Sequence, residues 1–202
     1  QYGQCNVPTG LKDVRAIAAG GVHNLALKTD GTVVAWGYNQ FGQCNVPTGL
    51  KDVTAIAAGN HHSIALKSDG TLVAWGYNPF GQCNVPTGLK DVQAITAGGF
   101  HSMALRSDGT VLAWGFNQLG QCNVPTGLKE VVAIAAGRQQ DRHLKSDGRH
   151  HSLALRSDGT VVAWGYNMYG QCNIPTGLKN VQAITAGGAH SVALKTDGTL
   201  VT

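Results

Sequence analysis

The sequence predicts an all-β fold: a β-propeller built from 39-residue repeats, as five blades or as an incomplete seven-bladed ring. Three observations lead there. Cys5, Cys44, Cys83 and Cys122 stand 39 residues apart, and Trp36, Trp75 and Trp114 keep the same step. The next step, to Cys172 and Trp164, is 50, so one repeat carries 11 extra residues. Each repeat alternates large and small side chains at a period of two and turns at Asp-Gly, with no helical period of comparable strength. Both faces of the alternating strands are apolar or small, so each sheet needs a neighbour on either side. A single repeat domain over 1–202 follows, with units at about 1–39, 40–78, 79–117, 118–167 and a truncated 168–202. A linear β-solenoid is the alternative, but its repeats are usually shorter and lack so regular a hairpin signal.

The second unit shows the elements in order. Val53-Thr-Ala-Ile-Ala-Ala-Gly59 begins β-branched and ends small, which suits the crowded centre of a ring. His62-Ser-Ile-Ala-Leu-Lys67 is the middle strand, with Ile64 and Leu66 facing one way and Ser63 and Ala65 the other. Ser68-Asp-Gly70 is a hairpin turn, because Asp and Gly both tolerate positive φ. Thr71-Leu-Val-Ala-Trp-Gly76 is the third strand. The loop from Tyr77 to Asp91 is punctuated by Gly81, Pro86 and Gly88 and holds a candidate fourth short strand around Gln82-Cys-Asn-Val. Adjacent blades interlock by setting a face of large residues on a face of small ones.

Composition narrows the function classes. Hydrophobic residues make up 43% and charged residues 13%, which excludes a disordered chain. The net charge of +4 is mild. Lys12, Lys51, Lys90 and Lys129 are each followed by an acid, a solvated pattern that argues against a nucleic-acid partner. No run of 18 apolar residues and no charged-then-apolar leader occurs in this chain, so nothing indicates a membrane span or signal peptide, and the compartment stays unknown. The five cysteines hold one equivalent position per repeat, too far apart around a ring to pair and without the short spacing of a zinc site. They read as buried, reduced and structural, which leans toward a reducing compartment or a fragment. The chain opens at Gln1 and stops at Thr202 short of the next tryptophan, as a processed chain or an excerpt would.

The recurrent G-x-x-H-[SN]-[LIMV]-A-L-[KR]-[ST]-D-G-T-[VL]-[VL]-A-W-G-[YF]-N-x-[FYL]-G-Q resembles the regulator of chromosome condensation repeat over nearly the whole chain. The short period is most similar to bacterial members, including β-lactamase inhibitory proteins built from this repeat. The resemblance implies a propeller, commonly seven-bladed, that presents loops to another protein. The eukaryotic branch includes nucleotide exchange factors for a small GTPase, with longer repeats and an inserted wedge absent from this sequence. With five repeats, closure is open: a partner copy or further residues would complete the ring, so an incomplete ring leaves room for self-association.

Chemistry has few candidates. His23, His62, His101, His151 and His190 recur once per unit, and a ring spreads them apart instead of converging them on one metal ion. Each is expected to share a face with apolar residues and to bond the neighbouring backbone. The His-Ser dipeptides from His62-Ser63 onward point their side chains to opposite faces of a strand, which is a packing motif and not a catalytic dyad. The Asp-Gly pairs are turn chemistry, without the acid-rich loops calcium prefers. No catalytic residue, metal site or cofactor is assigned, and the chain is read as no enzyme.

The repeats differ from one another at two loop positions. Tyr2, Phe41, Phe80, Leu119 and Tyr169 occupy the first; Val22, His61, Phe100 and His150 occupy the second. Loops of one kind cluster on one rim, and large apolar residues at loop tips are typical of contact surfaces. The other reading folds Phe41 and its equivalents inward as caps. The extra residues 138–148 align with 149–159 as a tandem duplication, whose polar first copy is expected to loop out. The function expected is a non-enzymatic scaffold presenting rim loops to a partner protein. The alternatives are an enzyme inhibitor of the β-lactamase inhibitory type, an exchange-factor-like regulator, and a structural repeat of a larger surface protein.

Overall fold

A computed structural model describes residues 3–138 and 150–202. The described residues form strands, turns and loops, with no helix. The first blade is β1 (Val14–Ala19), β2 (His23–Lys28) and β3 (Val33–Gly37); the second is β4 (Val53–Ala58), β5 (His62–Lys67) and β6 (Leu72–Gly76). The third is β7 (Val92–Ala97), β8 (His101–Arg106) and β9 (Val111–Gly115), and the fourth is β10 (Val131–Ala136), β11 (His151–Arg156) and β12 (Val161–Gly165). The fifth, β13 (Val181–Ala186), β14 (Ser191–Lys195) and β15 (Leu200–Val201), ends on a two-residue strand. Every blade is a separate three-stranded antiparallel meander. The Gln-Cys-Asn-Val segment is a turn and not a fourth strand, because Asn84 N–H bonds the Gly81 carbonyl and Val85 N–H the Cys83 carbonyl.

Local chemistry sets each blade. At the β2–β3 hairpin, Gly31 takes φ +79, and Asp30 Oδ1 accepts from both the N–H (3.0 Å) and the hydroxyl (2.6 Å) of Thr32. A bulge interrupts the β1–β2 register between Val14 and Ala16, and it recurs in all five blades. The bulged residue is Arg15, Thr54, Gln93, Val132 or Gln182, so Val132 is exposed where its counterparts are polar.

The inner strands are β1, β4, β7, β10 and β13, and each packs on the next. Their small ends, including Ala18, Ala19, Ala57, Ala58, Ala97, Ala135 and Ala186, line a central channel of about 330 Å³. The small C-terminal half of the first strand therefore sits where the sequence places it. Between blades, Leu25, Leu27 and Val33 of the first pack on Val53, Ala58, Ala65 and Trp75 of the second. The large-on-small interlock recurs with Met103, Leu105 and Val111 on Val131, Ala136, Ala154 and Trp164. No comparable packing joins β13 back to β1, so the five blades form an open arc.

Candidate functional site

The histidine that repeats along the sequence is a lock between blades. His23 Nε2 lies 2.9 Å from Ser63 Oγ of the next blade, and Ser63 Oγ donates to the Gln43 carbonyl at 2.9 Å. Since the serine proton goes to that carbonyl, the ring donates through Nε2–H. Trp75 Nε1–H donates to the same Gln43 carbonyl at 3.0 Å. The relay recurs as His62–Ser102–Gln82, His101–Ser152–Gln121 and His151–Ser191–Gln171. The sequence points the His-Ser neighbours of one strand apart, and they do point apart; the pairing is with the serine one blade on. At His23 the backbone of Asn60 in the next blade adds the kind of contact expected of these rings. Ser63, Ser102 and Ser152 are fully buried and committed as donors, which makes the pairs structural.

Burial, above all, pushes these imidazoles toward the neutral form: His23 and His151 down to about 4, and His62 to about 3. His101 lies well below the ordinary value for the same reason. Among the described residues, no three His, Cys, Asp or Glu side chains gather in an arrangement that could hold a metal ion.

The two variable loop positions come together on one face of the arc. They follow β1 and β3, whose C-terminal ends lie at the same mouth of the channel. Phe41 meets His61 at 5.3 Å and Tyr77 at 4.8 Å, ring centre to ring centre. Phe80 meets Phe100 at 5.5 Å and Phe116 at 5.0 Å, Phe100 meets His150 at 5.6 Å, and Tyr169 meets Tyr166 at 5.9 Å. Phe41, Phe80, Leu119, Met168 and Tyr169 are exposed; Val22 and His61 are half-buried; Phe100 and His150 are buried beneath them. Tyr2 lies outside the described residues. The aromatics of the W-G-[YF]-N motif, Tyr38, Tyr77, Phe116 and Tyr166, form the layer under the tips. Their recurrence after every Trp-Gly was the signal for it.

The tips are held stiffly. The buried Gln43 accepts from Phe41 N–H through Oε1 (3.1 Å), and Asn39 ties the loop by accepting from Cys44 N–H (2.8 Å) and donating to Asn45 Oδ1 (2.6 Å). The same brace serves Phe80, Leu119 and Tyr169. Phe41 is therefore neither free nor folded inward: one side of its ring packs and the other faces water. At the channel mouth on this face, Arg138 donates to the carbonyls of Ala19 and, at 2.7 Å, Ala58. Arg138 is the first residue of the duplicated segment; the rest of it, 139–148, lies outside the described residues. The opposite face carries the hairpin turns and their ion pairs, such as Lys28–Asp30 and Lys67–Asp69, both at 3.0 Å.

The cysteines are free, as the repeat geometry requires, but less buried than the sequence suggests: Cys5 is exposed and the other four half-buried. Cys44 Sγ donates to the Tyr38 carbonyl at 3.3 Å. Burial pushes the Cys83 and Cys122 thiols up to about 12 and Cys172 to about 11. Because the thiolate is the reactive form, brief alkylation at pH 8 should label Cys5 first and the other four much more slowly. Peptide mass spectrometry reads this directly, and equal labelling of all five would contradict it.

Fold and lock together define a class, the repeat-built β-propeller. The chain belongs to the regulator of chromosome condensation (RCC1) repeat family, whose model matches residues 14–43, 53–82, 92–121 and 148–171, more than half of the chain. Among solved structures it is similar to yeast RCC1 (Prp20) in its complex with Kap60, at 26% identity and a TM-score of 0.74 over 93% of this chain and 55% of that one. It is similarly close to Prp20p from Saccharomyces cerevisiae, a structure described with its binding properties to Gsp1p and histones, at 26% identity and a TM-score of 0.73 over 93% and 56%. The ectodomain of the Physcomitrella patens receptor kinase CR4, at 22% identity and a TM-score of 0.74 over 91% and 50%, shares the fold. The chain thus spans about half the length of these proteins. No curated protein sequence matches it significantly.

Proposed function

We propose that this chain is a non-catalytic protein-binding scaffold whose aromatic face docks a partner protein. The observation that carries this reading is the division of the two faces. Phe41, Phe80, Leu119, Met168 and Tyr169 stand exposed together on loops braced by buried glutamines, while the other face is built of charged turns. Large apolar side chains held in one conformation lose little entropy on docking, which favours binding over solvation. The yeast RCC1 structures are of a propeller that meets other proteins, which supports the class of activity. A nucleic-acid, membrane or cofactor partner has no comparable feature behind it.

The test is affinity capture with the native chain and with a Phe41→Ala, Phe80→Ala, Tyr169→Ala variant. Each truncation at a hot spot is worth about 2 kcal/mol, or roughly thirtyfold in affinity. The triple variant should therefore lose the partner while its thermal unfolding changes little. A Lys67→Ala, Asp69→Ala variant on the charged face should capture as the native chain does. Loss of the partner from the charged-face variant alone would overturn the assignment.

A further inference from the structure

Apart from Val132 at its bulge, the large exposed apolar residues away from the aromatic face fall at the two ends of the arc. On the first blade, Val7 is 62% and Ile17 78% exposed, and Val14 is exposed where its counterpart Val53 is 1% exposed. Ile56, the counterpart of Ile17, packs against the preceding blade together with Val46 and Leu50. On the fifth blade, Leu200 is 68% exposed, and Val192 and Leu194 are half-buried where Leu25 and Leu27 are fully buried. These are the two halves of the interlock that the chain makes four times internally. The first blade offers the small face and the fifth the large one.

We propose that a second copy of this chain docks its first blade on the fifth blade, head to tail, by the packing already used between neighbouring blades. Val192, Leu194 and Leu200 take the places of Leu25, Leu27 and Val33, and the Val14, Ala19 and Trp36 face takes that of Val53, Ala58 and Trp75. The polar lock argues for the same pairing. His190 is exposed and lacks the serine that its four counterparts bond. The first blade carries Asn24 in place of serine, and Asn24 Nδ2 donates to the Gln4 carbonyl at 2.7 Å as Ser63 does to Gln43. An amide also carries a carbonyl oxygen, so Asn24 Oδ1 supplies the acceptor that His190 Nε2–H needs. The contact is heterologous, with a different face on each copy, so assembly proceeds until the arcs close on one another.

Sedimentation at increasing concentration tests this. The native chain should associate, and the Phe41→Ala, Phe80→Ala, Tyr169→Ala variant should associate equally, since the aromatic face is not used. Ile17→Glu and Leu200→Glu should each leave a folded monomer or, at most, weak association, because both side chains are already largely in water. An equimolar mixture of those two variants should form a heterodimer and stop there, because it retains one intact large face and one intact small face. A native chain that stays monomeric at every concentration overturns the proposal and leaves the open faces to other blades. Association that survives both glutamates, that needs the aromatic face, or that fails to return in the mixture also overturns it.

Discussion

Lowering the pH from 7 to 5 is expected to unfold this protein, because its blades are joined through buried neutral histidines. The folded-state values of His23, His62 and His151 are depressed to about 4, 3 and 4, and His101 is depressed as well; burial is the first cause, with Arg138 and neighbouring rings adding to it at His23 and His62. The unfolded rings titrate near their ordinary value of ~6.5. Below that pH the unfolded chain takes up protons that the folded chain refuses, so stability is full above about 6.5 and falls as pH drops toward the folded values. Each ring contributes about 1.4 kcal/mol per pH unit in that window, so four together remove roughly 5 kcal/mol per unit. A typical domain has about 5–15 kcal/mol in all, which places the acid transition near pH 5. Asp30 and its equivalents are held below the ordinary carboxylate range chiefly by the neighbouring threonine hydroxyl and N–H, so their contribution is lost only as pH falls through that range, below the histidine window. Thermal unfolding followed by circular dichroism between pH 8 and 4 measures the slope, and His62→Gln should lower it by about a quarter. A melting temperature unchanged down to pH 4.5 would sink this account.

That pH dependence rests on a contact the sequence shows only in part. The hairpin at Asp69-Gly70, the alternation of Ile64 and Leu66, and the small end of Val53–Gly59 are local signals, and each stands in the structure as read. The partner of His62 is not local: Ser102 is one blade away, and only the stacking of blades brings the two within 3.1 Å. The same limit applies at the rim. The disagreement among repeats marks Phe41 and Phe80, but it cannot show that Phe100 and His150 lie beneath the tips, because depth depends on how the next loop folds over. The sequence carries one further backbone signal. Asp13, Asp52, Asp91 and Asn180 all take φ near +58 (59, 59, 59 and 57), a backbone region that Asp and Asn tolerate better than most residues. The Lys-Asp recurrence is therefore turn chemistry as much as surface charge, and Glu130, with φ 58, is the odd member.

The architecture also leaves both proposed contacts to the edges. Inside the arc the histidine Nε2, the serine hydroxyl and the tryptophan N–H of the lock are committed, and the large faces are covered by the next blade. Among the described residues, what remains for the proposed partners is the mouth of the channel with its aromatic tips, and the two end blades. The first surface differs from repeat to repeat, as a surface read by a specific partner would. The second keeps the repeat's own residues, as a surface that meets another blade must.

Gly59→Ala should cost far more than Gly49→Ala, although backbone conformation alone predicts the reverse. Gly49 takes φ +78 with nothing within 4 Å of an added Cβ, so alanine there meets only the left-handed backbone penalty, about 1–2 kcal/mol. Gly59 has no positive φ, so its backbone accepts alanine; the space around it does not. A Cβ would stand 2.2 Å from His62 Cε1, 2.4 Å from Nδ1 and 2.7 Å from the Gly98 carbonyl oxygen. The ring cannot simply turn away, because Nε2 is held by Ser102 at 3.1 Å, and the neighbouring backbone is pinned by Asn60 N–H on the Gly99 carbonyl at 3.2 Å. Relief requires expelling the ring, which combines overpacking of about 1–3 kcal/mol with a buried hydrogen bond lost at a further ~1–3 kcal/mol. At roughly 2–4 °C per kcal/mol for a chain of this size, Gly59→Ala should lower the melting temperature by about 10 °C and Gly49→Ala by about 4 °C. Gly98→Ala, where the added Cβ would lie 2.1 Å from His101 Cε1, should match Gly59→Ala. Because the displaced ring is no longer held neutral, Gly59→Ala should also flatten the pH dependence as His62→Gln does. Equal thermal losses at Gly59 and Gly49, or an unchanged pH slope, would show that the ring is not the lock between blades.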